Sequence, residues 1–375
     1  MKKQVIYSWV MSLVLLSITS CYASIPQPVD ECSPPANIIN QSRSLRLGDA
    51  STVFAWSPHG KTLIFSPSSR EGLFAVNLEA SGSEENPHSL RRITSQVTHE
   101  YFDLSEDSTI AFSAKDSSTN QFDMFSISLE GTKADQLTTS SFAESRPAWS
   151  PDGKYLAFSR NDGELTRTRI YLLDTATLTE NLLVDLPAWD YTWAPDGKWM
   201  TFLSHQDGSD DLYIVTADGT NVRKLVNTEG CDDVVSPIWS PNGQMLAFIK
   251  KHNFNFALYV IRSDGRNEEN LTNSPGNEYQ PAWSPTGTKI AYVSFDGVYQ
   301  DIYTIDVANG NSTHVTDTLD EMESLPQWSP DGQFIAFLSF TPDNQKWHLD
   351  VVNLNNNERK RLVTISEALT ILDPE

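Results

Sequence analysis

The chain has 375 residues, 39% hydrophobic and 20% charged, with 49 acidic side chains against 27 basic ones and a formal charge of −22. A surface this acidic repels phosphate backbones, which excludes a nucleic-acid binder and favours a basic partner or a divalent cation. An aromatic content of 10% and the absence of low-complexity blocks exclude a disordered chain.

Residues 1–23 read as a signal peptide. Lys2 and Lys3 open the chain, a largely apolar run extends from Val5 to Leu16, and Ser17-Ile18-Thr19-Ser20-Cys21 closes it. A basic start, a short apolar middle and small residues at the end make an export signal; the run is too short for a membrane span of ~20 residues. Two processing outcomes are open. Ile18-Thr19-Ser20-Cys21 has the layout of a bacterial lipobox, which would leave Cys21 as a lipidated N-terminus anchored in the outer membrane. Cleavage after Ala23 would instead release the chain. Either way the mature protein is expected in the periplasm or cell envelope, touching a membrane only through that lipid. Cys32 and Cys231 either form one disulfide or stay separate thiols.

From residue 48 to 365 the chain repeats itself. WSPHGKTLIFSP begins at Trp56, WSPDGKYLAFSR at Trp149, WAPDGKWMTFLS at Trp193, WSPNGQMLAFIK at Trp239, WSPTGTKIAYVS at Trp283 and WSPDGQFIAFLS at Trp328. A degenerate copy, DLSEDSTIAFSA, starts at Asp103, so seven starts follow one another at intervals of 44 to 47 residues. Each copy continues with a third apolar segment, such as DLYIVTADG at 211–219, and a short fourth one ending in Leu-Thr or its equivalent, such as ENLT at 269–272. In Ser150-Pro151-Asp152-Gly153, Pro presets the first turn position and Gly accepts positive φ, so the phrase predicts a strand, a tight turn and a second strand. The bulky-small-bulky run Leu156-Ala157-Phe158 suits a sheet buried on both faces. One four-stranded unit cannot bury both faces alone, whereas units stacked radially into a closed ring can. The expected fold is therefore all-β, a seven-bladed β-propeller of four-stranded blades, with six blades plus a closure unit as the alternative. Residues 24–47 form an N-terminal tail, with QSRSLRLG at 41–48 as a spare outer strand that would close the ring, and residues 366–375 a C-terminal tail.

Trp-Ser-Pro-Asp-Gly, then Ile/Leu-Ala-Phe, Asp-Ile/Leu-Tyr and Leu-Thr, resembles the WD-like propeller repeat of the TolB family, over about residues 48–365. The resemblance implies a periplasmic or surface propeller that binds other proteins. The α/β domain that precedes the blades in that family is not expected, because residues 24–47 leave no room for it. Similar repeats form the gating propeller of prolyl-oligopeptidase-type peptidases and the body of oligogalacturonate lyases.

In such a ring the first strand of each blade lines the channel, and the loop entering it opens on one face. That loop carries Glu144, Arg146, Asp190, Asp232, Asp233, Glu278, Glu321 and Glu323. Glu144, Glu278 and Glu323 each stand five residues before their Trp, which predicts carboxylates at one height and an acidic rim for a basic peptide, a protein loop or a divalent cation. No Gly-x-Ser-x-Gly elbow, P-loop or dinucleotide fingerprint occurs, and the Asp-Gly pairs at 207, 218, 264 and 296 read as turns. The expectation is a monomeric, non-enzymatic binding propeller with no catalytic residue and no cofactor. The alternatives are a small-ligand-sensing lipoprotein and a metal-dependent polysaccharide lyase of the oligogalacturonate type. The lyase would need histidines such as His99, His205 and His252 to converge on a metal.

Overall fold

The computed structural model describes residues 54–67, 72–78, 90–96, 98–117, 119–161, 168–206, 209–228, 232–252 and 255–365, with the backbone alone at 98–100. Cys21, Cys32, Cys231, the strand expected at 41–48 and Asp207-Gly208 lie outside the described residues. Seven antiparallel sheets of four strands each follow one another along the chain, at 54–94, 98–136, 144–184, 189–226, 233–270, 277–314 and 322–364. These are blades 1 to 7, and in each the four strands lie side by side in sequence order. The chain is a seven-bladed β-propeller.

The repeated phrase does local and long-range work at once. In blade 3 the inner strand Glu144–Trp149 ends in the Ser150-Pro151-Asp152-Gly153 turn, where Ser150 Oγ accepts the Tyr155 N–H at 2.9 Å and donates to Asp152 at 2.8 Å. Gly153 has φ 69°, a conformation glycine adopts without strain. The second strand, Tyr155–Asn161, then buries Leu156, Ala157 and Phe158 completely. Phe158 stacks on Tyr171 of the third strand with ring centroids 5.9 Å apart. The same pair recurs as Phe202–Tyr213 and Phe248–Tyr259, which gives the Tyr of Asp-Leu-Tyr its place.

Four of the repeat tryptophans join neighbouring blades through the indole N–H. The Trp193 indole N–H donates to the carbonyl of Ala148, Trp283 to Ile238 and Trp328 to Ala282, at 3.1, 3.4 and 3.1 Å. Each acceptor is the residue just before the preceding blade's own Trp. The same bond closes the ring, because Trp56 donates to Gln327 at 3.2 Å and the Gln327 amide returns to the carbonyl of Phe54 at 2.8 Å. Phe54, Phe65 and Phe74 of blade 1 pack with Leu349, Val351 and Leu362 of blade 7 in one buried cluster. Proline adds a contact on the turn side: a Cβ placed on Gly197 would stand 3.6 Å from Cδ of Pro151, the turn proline of the blade before.

Blade 2 departs from this pattern, and its register corrects the alignment that starts the copy at Asp103. Leu104 pairs with Ile110 as Trp149 pairs with Leu156, so Leu104 and not Asp103 occupies the tryptophan position. The connection from Leu104 to Ile110 is one residue shorter than its counterparts, with no residue at the position of Lys154, and Ser108 carries the positive φ of 65° that glycine holds elsewhere.

Candidate functional site

Glu144, Glu278 and Glu323 do stand at one height, but inside the blades and not on a rim. Each lies at the start of an inner strand, with 0%, 1% and 0% of its surface exposed. The Glu144 carboxylate accepts from Thr138 Oγ1 and, at 2.9 and 2.5 Å, from Nε and Nη2 of Arg160. Thr138, the last residue of the Leu-Thr segment, also accepts the Met124 N–H at 2.9 Å, so threonine and glutamate latch the outer end of one blade to the inner strand of the next. Glu278 is held by Ser274 and Thr272, Glu323 by Thr318 at 2.6 Å and Arg359 at 3.3 Å. Burial pushes Glu278 up to about 7 and Glu323 up to about 8. A carboxyl sealed in this way cannot touch a docking partner. Asp233 opens the inner strand of blade 5 and pairs with Lys251 at 2.8 Å.

The channel wall is shaped by a bulge three residues before the tryptophan in blades 3 to 7. Arg146, Asp190, Ser236, Gln280 and Leu325 sit there with φ between 48° and 56°, a region that disfavours side chains other than glycine. The bulge turns main-chain N–H groups toward the neighbouring blade. Asp190 Oδ2 accepts the Ser236 N–H at 3.1 Å, and Gln280 Oε1 accepts the Leu325 N–H at 2.7 Å. Arg146 lies over the Tyr101 ring at 4.7 Å, donates to its hydroxyl at 3.2 Å and stands 4.0 Å from Asp190. Of the eight residues that sequence placed on the loop before each tryptophan, Arg146 and Asp190 come together in the channel.

Both line a cavity of about 420 Å³, walled by the inner strands of blades 2 to 5 and reaching down to the turns at Ser105-Glu106 and Ser150-Pro151. Asp103 lines it too. Sequence reasoning missed this residue as a site because it was matched to the tryptophan position. Desolvation raises the Asp103 carboxyl to about 6 against the hydrogen bonds that Trp149 N–H, at 2.7 Å, and Leu104 N–H give it.

The opposite, loop-bearing face carries exposed apolar side chains. Val298 and Leu319 are 59% and 66% exposed. Val298 and Tyr299 sit on a turn pinned by Asp296 Oδ1, which accepts both their N–H groups at 2.8 Å. Gln300 donates to the Glu323 carbonyl at 2.8 Å and Asp301 accepts the Thr318 N–H at 3.4 Å, which brings this turn beside Leu319 on the connection into blade 7. Asp296, Asp317 and Asp320 are exposed around them.

The sequence matches the TolB beta propeller domain over residues 48–233, 143–257 and 226–369. The chain belongs to the TolB β-propeller family. An uncharacterised protein of Agrobacterium fabrum is 30% identical over 114 residues, 29% of this chain and 39% of the relative. A TolB homolog of Chlorobium luteolum is 32% identical over 111 residues, 29% of this chain and 25% of the relative. The chain thus matches well under two thirds of the length of these relatives. Among solved structures, an oligogalacturonate lyase in complex with manganese superposes with a TM-score of 0.61 at 16% identity, over 80% of this chain and 83% of that one. That likeness is one of fold.

In this TolB-family propeller, His205 Nδ1 meets Asp210 at 2.8 Å and His252 Nδ1 meets Asp232 at 2.9 Å, while the side chain of His99 is not described. Among the described residues no three His, Cys, Asp or Glu side chains are grouped to hold a metal ion. The histidine convergence that a lyase of this fold would need is not formed by them.

Proposed function

We propose that the chain is an exported, monomeric binding propeller of the cell envelope that docks a protein partner on its loop-bearing face. Export would follow from residues 1–23, with Cys21 lipidated or cleavage after Ala23. The observation that carries the reading is the apolar knob of Val298, Tyr299 and Leu319, exposed on pinned loops and rimmed by Asp296, Asp317 and Asp320. Apolar side chains held outward on rigid turns favour contact with a partner, because little ordering is left to do on binding. The acidic rim and the charge of −22 select a basic contact surface on that partner. The family's protein-binding habit points the same way. Crosslinking in the native envelope, with Leu319→Asp and Val298→Asp as controls, tests this: a crosslinked band in wild type should vanish in both variants while thermal stability holds. Identical bands in wild type and variants would put the docking site elsewhere.

A further inference from the structure

We infer that the channel cavity at the seam of blades 2 and 3 is a binding site for a primary ammonium group. It lies on the turn side of the ring, so it does not rest on docking at the loop face.

The seam is open because blade 2 lacks three parts of the repeat. Leu104 replaces the tryptophan, and both it and Trp149 line the cavity. The short turn has no proline, so a Cβ on Gly153 would meet nothing within 4 Å, where Gly197 has Pro151. The Trp149 indole N–H is buried without an acceptor, as is that of Trp239, whereas Trp193 next door is clipped to Ala148. Space has been made at one seam.

Into that space the chain places a charge that other blades lack. The position of Asp103 is filled elsewhere by Ala55, Ala148, Thr192, Ile238, Ala282 and Gln327. Only main-chain N–H groups, those of Trp149 and Leu104, meet its carboxyl among the described residues, and no cation does. Arg146 is already committed to Tyr101 and Asp190, and Glu106 is exposed at the mouth, so the cavity carries excess negative charge. The Trp149 ring shares the wall, and a cation beside an aromatic face and a carboxylate is well held. A guanidinium prefers a carboxylate with both oxygens free for its fork, and Trp149 N–H takes one of them. A compact ammonium needs only one lone pair that the Trp149 and Leu104 N–H groups leave open.

Two sources share this chemistry: a free amine and a lysine side chain on another protein. The full chain is titrated with 1,5-diaminopentane and, separately, with acetyl-Gly-Lys-Gly-amide against its norleucine counterpart, following tryptophan fluorescence and heat. Saturable binding of the diamine alone assigns a free amine, and of the lysine peptide alone a protein side chain; binding of both also supports the site. Asp103→Asn, which keeps an acceptor for Trp149, should weaken binding by about tenfold or more. Leu104→Trp should abolish it by filling the space. Because Asp103 must ionise, wild-type affinity should fall about tenfold between pH 7 and pH 5, a readout that needs no variant. Glu269→Gln, which removes an exposed carboxylate on the outer strand of blade 5, should change nothing. Absence of binding by either probe, or affinity unmoved by both cavity variants and by pH, overturns the assignment.

Discussion

Each tryptophan of the repeat contributes a buried ring and a single N–H, and the two can be separated by substitution. Phenylalanine keeps most of the ring but loses the donor. At Trp193 or Trp328 this leaves the carbonyl of Ala148 or Ala282 without its clip inside the ring. At Trp149 the donor has no acceptor, so its removal relieves a buried unsatisfied group. Leaving a buried polar group unmet costs about 1–3 kcal/mol, whereas deleting one that is already unmet recovers some of it. Trp193→Phe should therefore destabilise the ring by about 1–2 kcal/mol more than Trp149→Phe. Thermal unfolding midpoints of the two variants, compared with wild type, check this; equal losses would mean that the indole clip contributes nothing. The same comparison explains why one residue type at one repeat position is not equivalent in all blades.

At the scale of elements, the turn after each inner strand requires positive φ at one place. Gly153 and Gly197 meet it at 69° and 67°, but blade 2 meets it with Ser108 at 65°. A side chain in the left-handed region costs about 1 kcal/mol relative to glycine. Ser108→Gly should accordingly stabilise the protein by roughly that amount, while Gly197→Ser should cost about as much through the same positive φ. Chemical denaturation of the pair gives the sign of each change, and a destabilised Ser108→Gly would show that the Ser108 side chain holds the short turn together. This element also marks where sequence reading fell short. Ile110-Ala111-Phe112 aligns the degenerate copy by its second strand, but the missing turn residue shifts everything before it by one, so Asp103 was matched to the tryptophan. The carboxylates had the opposite fate. Their spacing of five residues from tryptophan predicted their common height, but not their burial, because Arg160 and Arg359 reach Glu144 and Glu323 from other strands and Thr138 reaches Glu144 from the segment that ends the blade before.

For the whole molecule, the blade count was readable because every copy carries its own turn and its own buried second strand, and the seven described sheets follow that count. The cavity was not readable as a motif, since it is made from what blade 2 lacks; the only signal was that one copy departs from the rest. The buried carboxyls of the ring have a global consequence. Asp103 titrates near 6, Glu278 near 7 and Glu323 near 8, each raised first by desolvation, against 3.8 and 4.5 for the ordinary groups. Below pH 4 these groups are protonated in folded and unfolded chains alike. As pH rises the unfolded chain ionises first and is favoured, so folding loses stability from about pH 4 up to about pH 8 and then no further from this source. Asp152 and Asp218, lowered to about 2 by neighbouring hydrogen bonds, act in the opposite direction but only below pH 4. The thermal midpoint should therefore be higher at pH 5 than at pH 8. Repulsion within a chain of charge −22 slopes the same way, and a charge-matched pair separates the two. Glu278→Gln should flatten the slope, whereas Glu269→Gln, at an exposed site, removes the same charge and should leave it nearly unchanged. A midpoint that rises from pH 5 to pH 8, or equal slopes in the two variants, would show that the buried latches are not titrating in the folded ring.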